Sequence, residues 1–272
     1  MSVHTQPDVQ EFPCSQPIKA VVRVGAGTIA VIAEDRPLVT VAVSPYAPDD
    51  ASRAAAENTK VQFTGDRVSV ETPETGGGWI FRRNGRVRVE LRVPLDSSLQ
   101  ARTGSADVHA EGRLAEADIH TGSGDTYVTK TAGDLTVESG SGDVRTDEVG
   151  GALRVRTASG DVSASTVIGS ASVNVASGDI EIEDASGPVR ASSASGDIRV
   201  STAHSGQIKL NSASGDVSVG VPTGTRVWLD LVTMSGSTVS DLDMTATAPQ
   251  DGPQLSLEVR TMSGDINIHR VS

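Results

Sequence analysis

One cysteine, Cys14, serves all 272 residues. No intrachain disulfide can form, and no thiolate cluster can be built around a metal. Aromatic residues are only 3% of the chain, which excludes a core filled by rings and leaves room for a narrow aliphatic one. No stretch approaches the roughly 18 consecutive apolar residues of a membrane-crossing helix. The start, Met1-Ser2-Val3-His4-Thr5-Gln6-Pro7-Asp8, has neither the basic nor the apolar region of a secretory signal. Cys14 follows Phe12-Pro13 without an apolar segment, so a lipoprotein anchor is not expected. The simplest expectation is a cytoplasmic protein without membrane insertion, with a non-standard export route left open. Positive charge is also in short supply: 23 Lys and Arg stand against 35 Asp and Glu, a net charge of −12. That balance argues against nucleic acid and against an anionic membrane surface as partners. Catalytic signatures are missing too. The histidines (His4, His109, His120, His204 and His269) lack zinc-site spacing, and there is no Gly-x-Ser-x-Gly elbow. No cofactor is expected.

What the chain has is a count of nine. Ser-Gly-Asp recurs at 123–125, 141–143, 159–161, 177–179 and 195–197, so its Asp advances by 18 each time. Midway lies a second glycine: Gly133, Gly151, Gly169 and Gly187. A fixed period is the signature of a repeat architecture. Within one unit, Ile180 and Ile182 alternate with Glu181 and Glu183, the period of two of a half-buried strand. The same alternation appears at Leu135/Val137, Leu153/Val155, Val173/Val175, Ile198/Val200, Ile208/Leu210 and Val217/Val219. Gly closes each unit, where a bend needs a residue that tolerates positive φ. Two units make one 18-residue coil, and each strand pairs in parallel with its equivalent about 4.8 Å away. The predicted fold is all-β: a two-sheet parallel β-solenoid, right-handed by the rule for parallel crossovers, capped at both ends by irregular strands.

The two corners differ. One carries Asp107, Asp125, Asp143, Asp161, Asp179, Asp197 and Asp216. The other carries Glu116, Asp134, Ala152, Ser170, Pro188 and Gln207, with no shared chemistry. Carboxylates stacked at strand spacing repel by roughly 0.9 kcal/mol per neighbouring pair in water, so something offsets that cost. Either each Asp accepts hydrogen bonds from the N–H groups of its own turn, or a cation such as calcium sits between coils on the row Asp125, Asp143, Asp161, Asp179 and Asp197. The first reading is favoured. Calcium-binding nonapeptides share the period, the Gly and the Asp, but this chain lacks their Gly-Gly-x-Gly run.

Along the chain, residues 1–17 read as a flexible arm. Residues 18–102 read as irregular N-terminal coils and cap, with a short helix near 49–58 announced by Pro48, an acidic start and an Ala-rich middle. Residues 103–221 form the regular solenoid and 222–272 the C-terminal irregular coils and cap. The step from Asp197 to Asp216 is 19 residues, and the extra residue belongs in the bend at Ala203-His204-Ser205-Gly206. Val227-Trp228-Leu229 and Leu255-Ser256-Leu257-Glu258-Val259 are expected as closing strands. The compositional outlier is Gly76 to Arg86, where Trp79, Phe81, Arg82, Arg83 and Arg86 gather around an Asn84-Gly85 hairpin signal. It reads as a hairpin that plugs the solenoid end, or as an exposed tip that binds a partner, since Trp and Arg are favoured anchors.

The Ser-Gly-Asp-Val/Ile repeats, the entry Ile18-Lys19-Ala20-Val21-Val22-Arg23-Val24 and the ending Met262-Ser263-Gly264-Asp265-Ile266 resemble the bacterial β-strand-repeat family labelled "putative adhesin", otherwise a domain of unknown function. The resemblance covers roughly residues 12–270 and implies the architecture, but no catalytic residue. Three functions remain open at this point. The first is a non-enzymatic binding or scaffold module whose polar surface meets a macromolecule, a protein or a cell-surface polymer. The second is a calcium-stabilised structural solenoid. The third is a carbohydrate-active β-helix enzyme, disfavoured because nine-residue units leave no loops to wall a groove.

Overall fold

A computed structural model describes residues 8–73, 85–242 and 254–271. They fall into two compact units. The first runs to residue 132 and takes in 139–141; the second comprises 133–138 and everything from 142 onward.

In the first unit the strands are β1 (Asp8–Pro13), β2 (Lys19–Glu34), β3 (Leu38–Pro45), β4 (Lys60–Thr64), β5 (Arg67–Glu71), β6 (Val87–Pro94), β7 (Ser98–Leu114), β8 (Ala117–Thr121) and β9 (Thr126–Thr131), with helix α1 (Asp50–Glu57) after β3. Asp8–Pro13, read from the sequence as part of a loose arm, is a strand paired antiparallel with β3. Alternating apolar residues drive these strands: Ile29, Val31, Val39, Val41, Val68, Val70, Val87, Val89 and Leu91 are all fully buried. β2 runs on around a corner. Its first half pairs with β5 and its second half with β6, while β7 flanks both halves in parallel. Gly27, with φ +129°, makes the bend.

The outer layer of this unit is antiparallel, through β3 on β6 and β4 on β5. Phe12 of β1 and Phe63 of β4 stack with ring centroids 5.0 Å apart, joining the two antiparallel flaps. The helix has Asp49 as its N-cap: the carboxylate accepts from the Ser52 N–H at 2.8 Å and holds the Asp49 pKa below its ordinary 3.8.

β10 (Leu135–Ser141) contributes to both units. In the second unit follow β11 (Val144–Val149), β12 (Leu153–Ser159), β13 (Val162–Val167), β14 (Ala171–Ser177), β15 (Ile180–Ala185), β16 (Val189–Ser195), β17 (Ile198–Ala203), β18 (Gly206–Ser214), β19 (Val217–Pro222), β20 (Arg226–Ser235), β21 (Thr238–Ser240), β22 (Gln254–Ser263) and β23 (Ile266–Val271). Two stacks of parallel strands alternate along the chain, as the period of nine requires. One stack pairs β11, β13, β15, β17, β19 and β23. The other pairs β12, β14, β16, β18 and β22. Val144, Val162, Ile180 and Ile198 lie in register at 18-residue steps. The step becomes 19 between Val189 and Ile208, while Ala185 still meets Ala203 at 18, so the extra residue is taken up in the 204–207 bend, where Gly206 has φ +92°. Every inward residue of this ladder is buried and its neighbours point out, so each side chain of Val or Ile size contributes about 1.5–3 kcal/mol of burial.

The C-terminal order departs from the expected one. β22 lies between β18 and β20, pairing with both, and β23 lies between β19 and β21. The strand around Leu255–Val259 is therefore an interior layer, and β20 is the closing strand. The 28-residue spacing of the two Thr-Met-Ser-Gly corners is the register itself, since Thr233 pairs with Thr261 and Ser235 with Ser263.

Candidate functional site: the aspartate corner and the polar faces

Parallel strands satisfy each other's backbone groups only while both run straight, and a bend leaves a donor over. At the Ser-Gly-Asp corner the Gly N–H finds the Ser carbonyl of the next coil, as Gly160 does with Ser177 at 3.1 Å. The residue after Asp finds the next Asp carbonyl, as Val162 does with Asp179 at 2.9 Å. The leftover donor is the N–H of Asp itself. It is taken by the carboxylate one coil back: Asp161 N–H donates to Asp143 Oδ1 at 3.0 Å, Asp179 to Asp161 at 2.9 Å, Asp197 to Asp179 at 2.8 Å and Asp216 to Asp197 at 2.8 Å. Asp265 continues the row on Asp216 at 2.8 Å, and Ser237 ends it, giving Asp265 Oδ1 both its N–H at 2.7 Å and its hydroxyl at 2.9 Å. In the first unit the Asp125 N–H donates to Asp107 Oδ1 at 3.1 Å.

The expected bond within each Asp's own turn is thus replaced by a bond between coils. Its charge-assisted strength, about 1.5–3 kcal/mol, exceeds the repulsion of stacked carboxylates. One oxygen of each of these carboxylates, Oδ1 of Asp143, Asp161, Asp179 and Asp197, is committed to a backbone N–H group. Among the described residues no three His, Cys, Asp or Glu side chains gather as a metal-holding group.

This geometry sets an expected result. Asp161→Asn keeps an acceptor oxygen for the Asp179 N–H and should leave the midpoint of urea unfolding almost unchanged. Asp161→Ala should lower stability by about 1 kcal/mol. Calcium or chelator should move neither melting temperature; a calcium-dependent rise in wild type alone, lost in Asp161→Asn, would establish the cation reading.

The opposite corner is not chemically empty. Asp134 accepts from the Ala152 N–H and from Arg154, each at 2.8 Å, and these bonds hold its pKa below 3.8. Asp265 is lowered by the Ser237 N–H and then by the Ser237 hydroxyl. Asp96 is lowered by a two-pronged bond from Arg113, at 2.7 and 2.6 Å. A carboxylate whose folded pKa is depressed stabilises fully above its unfolded value and loses that contribution as pH falls through the folded one. Melting temperature should therefore hold from neutrality to about pH 4 and fall below it. Asp134→Asn should flatten part of that acid limb, which thermal melts across pH will read.

Of the residues expected at a binding tip, Trp79, Phe81, Arg82 and Arg83 lie outside the described residues. Arg86 is placed: its guanidinium sits 3.9 Å over the Tyr46 ring, in contact with the protein's own surface. Gly85 beside it lies so close to α1 that a Cβ there would stand 2.0 Å from the Ala51 carbonyl oxygen. The described histidines are dispersed. His109 bonds Glu111 at 2.8 Å, His204 bonds Asp184 at 2.9 Å and His120 lies 2.9 Å from Asp118.

The outer faces carry in-register polar rows. On the β12–β14–β16–β18 face, Arg154, Ser172, Arg190 and Lys209 form one row, and Arg156, Asn174, Ser192 and Asn211 the next. All are exposed or half-exposed. Arg154 leans on Asp134, and Lys209 on Glu258 at 3.0 Å. No sequence rule singled out this face, because the cations of its first row, Arg154, Arg190 and Lys209, stand 36 and 19 residues apart rather than clustered.

These features define a parallel β-solenoid whose repeat carries a structural aspartate at one corner and a polar face beside it. The chain belongs to the Toastrack DUF4097 family, which matches residues 21–269, from within β2 to within β23. Among solved structures it is similar to a "putative adhesin" from Bacteroides fragilis (13% identity, 98% of each chain covered, TM-score 0.49). It is also similar to a "putative adhesin" (10%, 97% of this chain and 98% of that one, 0.39) and a "putative lipid binding protein" (12%, 99% and 98%, 0.38), both from Parabacteroides distasonis. No curated protein matches it. No helix among the described residues is long and apolar enough to cross a membrane.

Proposed function

We propose that the protein is a non-enzymatic binding module whose β12–β14–β16–β18 face receives a polymer with acidic and hydroxyl groups. The supporting observation is the pair of in-register rows Arg154–Ser172–Arg190–Lys209 and Arg156–Asn174–Ser192–Asn211. They offer donors at strand spacing, about 4.8 Å per step. The net charge of −12 excludes bulk attraction to polyanions, so recognition by this face is local. The carboxylates of adjacent coils, the constellation a polysaccharide-cutting enzyme would need, serve the backbone instead. The test is retention on an immobilised acidic polysaccharide against neutral dextran. Wild type should be held on the acidic matrix in a salt-dependent way and should leave the polymer uncut. Arg154→Ser/Arg190→Ser/Lys209→Ser should pass through. Equal passage of both proteins through both columns overturns the proposal.

A further inference from the structure

Among the described residues, the second unit ends on a coil over which no further strand is laid. Among the described strands, β20 pairs only with β22 and β21 only with β23. One layer in, Leu255, Leu257 and Val259 are fully buried. Their register partners Val227, Leu229 and Leu231 point the same way but are only half-buried. The large exposed apolar side chains collect here: Trp228 (58% exposed), Val232, Met234 (78%) and Val239 on the closing coil, with Met262 beside them on β22. The strand edge of the first unit is defended differently, since β1 carries Asp8, Glu11 and Pro13 and β4 carries Lys60. Charges and proline are the usual guards of a free edge. β20, Arg226-Val227-Trp228-Leu229-Asp230-Leu231-Val232-Thr233-Met234-Ser235, has no proline, and its two charges, Arg226 and Asp230, are of opposite sign.

We infer that this edge is a homodimer interface, in which β20 pairs antiparallel with β20 of a second copy about a two-fold axis at Trp228. The sequence of the strand selects that occupant. Arg226 and Asp230 lie two residues to either side of Trp228, on the same outward face. Antiparallel pairing centred on Trp228 sets each Arg226 opposite the other copy's Asp230, and Trp228 opposite Trp228. Inward-facing Val227 meets Leu229 of the other copy, so the two half-buried rows become one. The edge is thus complementary to itself in charge and in apolar content, as an isologous contact must be. Asp230 also receives Arg260 at 3.2 Å within the chain, which holds its carboxylate on the outward face.

Sedimentation equilibrium of the whole chain tests this. Wild type should weigh twice the 28.0 kDa chain mass at micromolar concentration. Asp230→Arg, which sets arginine against Arg226 twice, should raise the dimer dissociation constant at least about tenfold. The reversal Arg226→Asp/Asp230→Arg should restore it. Circular dichroism establishes that each variant is folded. Should Asp230→Arg fail to fold, Trp228→Glu, a change at an exposed position, gives the same readout. A wild-type monomer, a dimer indifferent to the single reversal, or growth into open-ended polymers through head-to-tail contacts would each overturn the inference.

Discussion

Ile180→Asp should unfold the second unit or leave it barely stable, while Glu181→Ala, one residue on, should pass almost unnoticed. Ile180 is 1% exposed and stacks in register between Val162 and Ile198. A carboxylate there has no partner and costs several kcal/mol, a large share of the roughly 5–15 kcal/mol that holds a domain folded. Glu181 stands on the outer face between Ser163 and Arg199, and its truncation should change stability by about 0.5 kcal/mol or less. Urea denaturation compares the two directly. Equal losses would mean that the strand is turned the other way.

Gly160 is the second position of large effect, and for two reasons at once. Its φ is +126°, and a Cβ built on it would stand 2.3 Å from the Gly142 carbonyl oxygen. Tolerance of positive φ alone would make Gly160→Asn milder than Gly160→Val. The collision removes that distinction, because the first carbon of any side chain meets backbone that is itself hydrogen-bonded. Gly160→Ala, Gly160→Asn and Gly160→Val should all cost more than about 3 kcal/mol. Two glycines separate the causes. Gly224 has φ +83° with nothing within 4 Å, so Gly224→Asn should cost little. Gly169 shows no positive φ, yet its Cβ would lie 2.2 Å from the Gly151 oxygen, so Gly169→Ala should be severe. If Gly160→Asn melts with wild type, the close approach between coils does not exist.

The repeat was legible because period-two alternation and period-eighteen corners are local patterns: Ile180 and Ile182 declare their own burial. The purpose of the corner residues was only half legible. Asp161 looked like a turn residue, and its acceptor role is real, but its donor belongs to Asp179, a partner that exists only once coils are stacked. The midway glycines looked like a second set of left-handed bends. Gly169 and Gly187 instead make way for the backbone of the coil behind them: a Cβ on either would stand 2.2 Å from a carbonyl oxygen. Nothing in the spacing announced the polar face, since Arg154, Arg190 and Lys209 become neighbours through register alone. Nor could period analysis order the last coils, because a strand inserted out of turn keeps the same residues facing inward.

That insertion bears on how the molecule is put together. A chain leaving the ribosome presents residues 226–240 before the strands that bind them exist, so they must stand aside until 254–271 slide in against β18 and β19. Residues 254–271 then act as a keystone. Cutting them away would strip the interior layer, leaving the β18–β19 edge bare and the preceding coil with nothing to rest upon. Closure waits on contacts 49 residues apart in the chain, a separation that slows folding and delays sealing of the core until residues 254–271 have been made.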